Sequence, residues 1–170
     1  GFENNKVKIV NSGDVMEDSA LFFNKVAVGK SEILKTLGIA ENEYVLATIH
    51  RAENTDDPQR LKNIFEGLET INKSKKVVLP LHPRTANILK SSGIETSITI
   101  IEPVGYLDMT ILTSHAAMVL TDSGGLQKEA FFFNRFCITL REETEWVELV
   151  NNGYNYLAGS DTGKMVEIYN

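Results

Sequence analysis

Residues 44–83, YVLATIHRAENTDDPQRLKNIFEGLETINKSKKVVLPLHP, decide how this chain folds. YVLATIH (Tyr44–His50) is short, apolar and β-branched, with no polar alternation. That is the pattern of a strand buried on both faces. RAENTDD reads as a loop, and Pro58 opens a helix. Leu61, Ile64, Phe65, Leu68 and Ile71 then fall three and four apart, giving one apolar face. KVVLPLH, ending at His82, is a second buried strand. Short apolar strands with little polar alternation, set between helices, are those of a parallel sheet.

The same alternation continues on both sides. Val15 to Val28 has near-helical apolar spacing, and Ser31 stands where it can cap a short helix ending at Gly38. After His82, Pro83 starts a helix that Gly93 ends. ITII is a strand, GYLDMTILTSH a helix and AAMVLT a strand. Leu126 to Phe133 is a helix, CITL a strand, EWVELVNN a helix and YNYLAG a short strand, and Thr162 begins a last helix. The expected fold is an open, doubly wound, Rossmann-like α/β sheet spanning residues 1–170 as one domain.

The chain has 170 residues, 42% apolar and 24% charged, as expected of a globular chain with a substantial core. A net charge of −6 argues against non-specific nucleic-acid binding, which needs clustered Lys and Arg. Cys137 is the single cysteine, so no internal disulfide can form and a reducing cytoplasm is expected. No apolar run reaches membrane-spanning length. The polar opening GFENNKVKIVNSGD is not a signal peptide, and both ends read as cuts in a longer protein.

In open α/β sheets, ligands sit beyond the carboxyl ends of the strands. That rule selects His50, Arg51, His82, Arg84, Glu102, Asp122, Ser123, Arg141, Thr144 and Glu145, all of which follow strand ends. VLTDSGGLQKEA (Val119–Ala130) places two glycines between a strand and a helix. Ser123 stands at the N-cap position, and Gly124 and Gly125 start the helix. The first N–H groups of a helix have no internal partner and carry the positive end of its dipole, so a phosphate can approach them where side chains are missing. Glu129 lies one turn further on the face of Gly125 and can accept from two ribose hydroxyls. The competing reading is a Ser cap and a tight turn, nothing more. For His50 and Arg51 the choice lies between phosphate contact and surface ion pairs, and for HPRT (His82–Thr85) between a ligand and a cap. His115 reads as structural and Phe131–Phe133 as core packing. The histidines are 32 and 33 residues apart, and no metal-ligand spacing is present.

TIHRAEN, HPRT, IIEPVGYLDM, LTDSGGLQKEA and LREETEWVELV together resemble the non-hydrolysing UDP-N-acetylglucosamine 2-epimerase family, over Val7 to Ala158. The resemblance implies the second Rossmann-like half of a glycosyltransferase-B type fold. It implies reaction by loss and re-addition of UDP, with no cofactor and no metal. By the family pattern His50 is catalytic and contacts the UDP phosphates. Ser123, Gly124 and Gly125 bind the diphosphate, Glu129 the ribose and Val104 the uracil, with Met109 where an aromatic residue is common. Arg141, Thr144 and Glu145 match the substrate-binding motif after the next strand. Arg51 and His82 match positions that touch a second UDP-sugar in regulated members. The resemblance also implies a homodimer for the full-length protein and places the C2 proton chemistry in the other half. TEWVE, in place of the more usual TERPE, looks like the branch acting on UDP-2,3-diacetamido-glucuronate. A glycosyltransferase of the same architecture and a non-catalytic nucleotide-binding module are the rival classes.

Overall fold

The computed structural model describes Lys8 and residues 10–170, so the Val7 end of the family-like stretch and most of the polar opening lie outside the described residues. Two helices, α1 (Val15–Val28) and α2 (Ile33–Leu37), precede strand β1 (Tyr44–Thr48). Then follow α3 (Ala52–Thr55), α4 (Pro58–Asn72), β2 (Lys76–Pro80), α5 (Pro83–Ser91), β3 (Thr99–Ile101), α6 (Tyr106–His115) and β4 (Met118–Thr121). The chain continues through α7 (Gly124–Phe132), β5 (Cys137–Thr139), α8 (Val147–Asn151), β6 (Asn155–Leu157) and α9 (Thr162–Tyr169). The strands form one sheet in the order β3-β2-β1-β4-β5-β6, parallel at every pairing. This is the doubly wound Rossmann-like arrangement read from the sequence.

Strand alternation sends residues to two separate layers. Val45, Ala47 and Ile49 of the β1 segment face α4, α5 and α9, where Leu61, Phe65, Leu68, Leu89 and Met165 complete a buried cluster. Tyr44 and Leu46 face the other way, toward Leu112 of α6 and Leu126 and Ala130 of α7. All five residues of β1 are buried, which is why its sequence shows no polar alternation. Helix α1 packs outside this layer, on α6 and α7. Burial pushes the Cys137 thiol up to about 12, so it behaves as a small apolar side chain.

Local chemistry sets the boundaries. Asp57 accepts from Gln59 N and Arg60 N, and Pro58 occupies the first turn of α4. Strand β2 ends at Pro80 rather than His82, and three further readings shift. RAENTDD is not all loop, because Arg51 O accepts from Asn54 N and Thr55 N to close the turn of α3. Strand β1 stops at Thr48, short of His50, because the N–H groups of His50 and Arg51 turn to the Asp122 carboxylate instead of a neighbouring strand. The N-cap position of α2 is Glu32 rather than Ser31, although Ser31 Oγ still accepts from Ile33 N at 3.3 Å while donating to Asp108.

Helices α4 and α9 meet across Gly67. A Cβ there would stand 2.8 Å from Met165 Cε and 2.9 Å from its Sδ, and Met165 is fully buried. Gly67→Val is expected to lower unfolding free energy by about 2 kcal/mol, the cost of overpacking a filled core. A urea titration of both proteins measures it. An unchanged midpoint would mean that α9 is free to move off α4.

Candidate functional site

The sheet reverses its winding between β1 and β4, so the loops after these two strands part and leave a crevice at their carboxyl ends. A cleft of about 360 Å³ opens there, lined by His50, His82, Pro103, Val104, Tyr106, Met109, Ser123, Gly125 and Glu129 among others. The post-strand loops of β1, β2, β3 and β4 all reach it. A larger groove of about 530 Å³ lies between α4 and α5, with Pro58, Leu61, Ile88 and Ile94 in its wall. Its polar residues, Thr55, Asp56, Gln59, Lys62, Ser91 and Ser92, come from the segments around α3, α4 and α5, and no loop after β3 or β4 reaches it.

The floor of the cleft is built on buried hydrogen bonds. Thr48 Oγ1 and Thr121 Oγ1 lie 2.6 Å apart across β1 and β4, and Ser123 N donates to Thr121 Oγ1 at 2.9 Å. Asp122 is fully buried and accepts from His50 N, Arg51 N and Asn54 Nδ2. Asn54 Nδ2 also donates to Leu140 O, and Asn54 Oδ1 accepts from Arg60. One buried carboxylate and one buried amide thus join three loops.

Ser123 is the N-cap of α7. Its Oγ accepts from Leu126 N and its carbonyl from Gln127 N. Gly124 N and Gly125 N remain as first-turn donors with no intrahelical acceptor. The two glycines serve different ends. Gly124 is buried, and a Cβ on it would collide with Glu145 Oε1, so its lack of a side chain accommodates the loop after β5. Gly125 is exposed and lines the cleft. A Cβ on it would meet only Met16 Cε at 3.7 Å and Ser123 Oγ at 3.9 Å, which is ordinary contact. Among the described residues, nothing requires glycine at 125.

Glu129 stands one turn along the same face. Burial in the apolar cleft raises its pKa, and the Tyr106 phenol pulls it partly back. A carboxylate desolvated in this way is stabilised by any ligand that brings hydroxyl donors.

The residues after β5 sit on the other flank of α7. Arg141 Nη1 lies 2.7 Å from Glu145 Oε2. The backbone N–H of Glu145 itself, and then the Arg141 guanidinium, hold the Glu145 carboxyl below the usual carboxylate range; Arg51 adds to this from further away. Thr144 Oγ1 donates to buried Gln127 Oε1, and Trp146 Nε1 donates to Gly124 O at 2.8 Å while the Trp146 ring lies under Lys128. Of the residues singled out from the sequence, the cleft therefore gathers His50, His82, Val104, Ser123, Gly125 and Glu129. Glu145 covers Gly124 at the start of α7, Thr144 bonds Gln127 in the same helix, Arg141 pairs with Glu145, and the Arg51 backbone is spent on Asp122. Arg84 pairs with Asp56, and His115 Nδ1 lies 3.1 Å from Ile111 O within its own helix end. Phe133 is buried, whereas Phe131 packs edge-on against Tyr154.

Sequence reasoning passed over the roles of Asn54, Tyr106 and Trp146. Tyr106 precedes Met109 by one turn of α6, so it brings a ring to the cleft beside a position where the family pattern often has one. Its i, i+3 spacing was the available signal. Asn54 gives none, and Asp122 is marked only by its place after a strand, because their partnership exists only once separate loops meet. Among the described residues, no three His, Cys, Asp or Glu side chains converge as a metal-binding group, and no helix is long and apolar enough to cross a membrane.

Comparison with known proteins adds an independent line. A family model for UDP-N-acetylglucosamine 2-epimerase matches residues 2–170. A UDP-2,3-diacetamido-2,3-dideoxy-D-glucuronate 2-epimerase of Pseudomonas aeruginosa is 51% identical over 169 residues, covering 98% of this chain and 46% of that protein. The crystal structure of the Methanocaldococcus jannaschii UDP-GlcNAc 2-epimerase in complex with UDP-GlcNAc and UDP superposes with a TM-score of 0.86 at 38% identity, over 98% of this chain and 48% of that one. An Escherichia coli heptosyltransferase with ADP has a TM-score of 0.50 at 15% identity, a likeness of fold alone. The chain spans about half the length of the curated relatives it matches.

Proposed function

This chain belongs to the UDP-N-acetylglucosamine 2-epimerase family, and from that premise we propose that it is the UDP-binding half of a UDP-sugar 2-epimerase. The observation that carries the reading is the open face of Gly125 beside Glu129, in a cleft at the switch point of the sheet. The diphosphate lies against the free N–H groups at the start of α7, where the helix dipole favours an anion. The ribose hydroxyls donate to Glu129. The uracil lies toward Val104, Tyr106 and Met109. His50 contacts the phosphates, while Arg141, Thr144 and Glu145 brace the loop that fixes the start of α7.

The reaction is an elimination followed by an addition. A base removes the proton at sugar C2, the C1–O bond breaks, and its electron pair leaves with UDP. The glycal so formed is protonated on the opposite face of C2, and UDP re-forms the bond at C1. The chain supplies the leaving-group side of this chemistry. The base that works at C2 comes from the remainder of the longer protein. In the same reading, Arg51 and His82 serve a second UDP-sugar bound next to the first, the full protein is a homodimer, and it works in the cytoplasm.

Two sugars compete as substrate. UDP-N-acetylglucosamine is the general family reading. The 51% identity to the Pseudomonas aeruginosa enzyme, together with Trp146 in TEWVE, favours UDP-2,3-diacetamido-glucuronate. The full-length protein incubated with each UDP-sugar alone in heavy water should place deuterium at C2 of its substrate without any acceptor. The 170-residue chain alone should place none. A full-length protein that moves sugar only when an acceptor is added would be a glycosyltransferase. One that binds UDP tightly and exchanges nothing would be a binding module.

A further inference from the structure

Asp122 has a task that its burial makes specific. It is fully buried, and among the described residues no lysine or arginine side chain pairs with it. Its oxygens accept from His50 N at 3.1 and 3.2 Å, from Arg51 N at 3.0 Å and from Asn54 Nδ2 at 3.2 Å. Arg60 binds Asn54 Oδ1, which orients that amide with its N–H toward Asp122. The carboxylate is therefore held on several sides and cannot turn away. Against it stands the His50 ring, with Nδ1 at 3.1 Å from Asp122 Oδ1 and the side chain half exposed to the cleft.

An ionised carboxylate only accepts hydrogen bonds. A ring nitrogen this close is stable only if it carries hydrogen, since two lone pairs would repel. Resting on the nucleotide reading above, we infer that Asp122 is a positioning residue that holds the His50 imidazole in its Nδ1–H form and reserves Nε2 for the phosphates of the ligand. The arrangement fits both states of the ring. With one proton, Nε2 can accept from a phosphate hydroxyl. With two, Nε2–H donates to a phosphate oxygen while the buried carboxylate balances the added charge. In either state the carboxylate acts through His50 and touches no substrate atom. The same oxygens tie down the His50 and Arg51 backbone, so ring and loop are set by one group.

The test begins with the unaltered chain. In the 170-residue protein carrying ¹⁵N-labelled histidine, NMR should show the neutral His50 ring protonated at Nδ1. Asp122→Asn keeps the shape and one acceptor oxygen but turns an amide N–H₂ toward the ring. The His50 tautomer should then move toward Nε2–H. UDP affinity should fall ~5-fold by calorimetry, while uridine, which has no phosphates, should bind as before. An Nε2–H tautomer in the unaltered protein overturns the inference, as does an equal loss for UDP and uridine. If the variant does not fold, the tautomer of the unaltered protein still decides. A chain that shows the Nδ1–H ring but binds neither UDP nor uridine refutes the nucleotide reading and leaves the role of Asp122 standing.

Discussion

Gly125→Val will weaken UDP binding by ~100-fold, about 2.8 kcal/mol, in a protein that still folds. The fold tolerates the change because a Cβ at 125 has room, with Met16 Cε and Ser123 Oγ at ordinary contact distances. The residue lies in the first turn of α7 and carries no left-handed backbone that only glycine would accept. The ligand does not tolerate it. Leu126 N and Gln127 N are taken by Ser123, so the diphosphate must approach the N–H groups of the two glycines, and a branched side chain occupies that approach. Gly124→Ala sets the contrast. Its methyl would push aside the end of the half-exposed Glu145 side chain and its pair with Arg141, so the loss should be small and appear in thermal stability. Calorimetry with UDP and a thermal melt on both variants separate the two cases. Undiminished UDP affinity in a folded Gly125→Val would reduce the glycine pair to a turn.

Glu129→Ala should cost nearly as much, ~30-fold or more, about 2 kcal/mol, and Glu129→Gln ~10-fold. Hydrogen bonds to a charged carboxylate contribute roughly 1.5–3 kcal/mol each, and glutamine keeps one acceptor oxygen without the charge. The contact can be tested directly. 2′-Deoxy-UDP should bind the unaltered protein more weakly than UDP but lose much less in Glu129→Ala, because both changes remove the same interaction. Strictly additive losses would place the ribose elsewhere. The pH dependence has a definite sign. Burial raises the Glu129 pKa in the free protein, and ribose hydroxyls stabilise the charged form. The Glu129 contribution to UDP affinity is therefore full above that raised pKa and is lost as pH falls through it. Glu129→Gln should lack this component. The free protein shows the opposite side of the same linkage. A carboxyl whose folded pKa is raised destabilises the fold as pH rises through that value, so Glu129→Gln should melt higher than the unaltered protein near neutral pH. A carboxylate kept in the apolar cleft at a cost to the fold is the pattern of a residue retained for binding.

The strands, most helices and the parallel sense of the sheet are legible in the sequence, and so is the helix start after Ser123. These features depend on neighbours in the chain. The three- and four-residue spacing from Leu61 to Ile71 marks one face of α4, and the short run from Tyr44 to Ile49, with no polar alternation, marks a strand covered on both sides. The rule that ligands gather at strand ends places His50 and Ser123 along one edge of the sheet, and helix geometry sets Gly125 and Glu129 on one face just after Ser123. Tertiary structure decided the division of labour among them. Gly124 and Gly125 are adjacent and identical in sequence, yet one is covered by Glu145 and the other opens on the cleft. Thr144 reads as a ligand-binding hydroxyl and turns inward to Gln127. The joint role of Asp122 and Asn54 carries no local signature, because it links groups 68 to 86 residues apart in the chain. Periodicity reports which face of an element is buried, since that is set by neighbouring residues. It cannot report which loops meet, because that depends on the order in which the strands lie side by side.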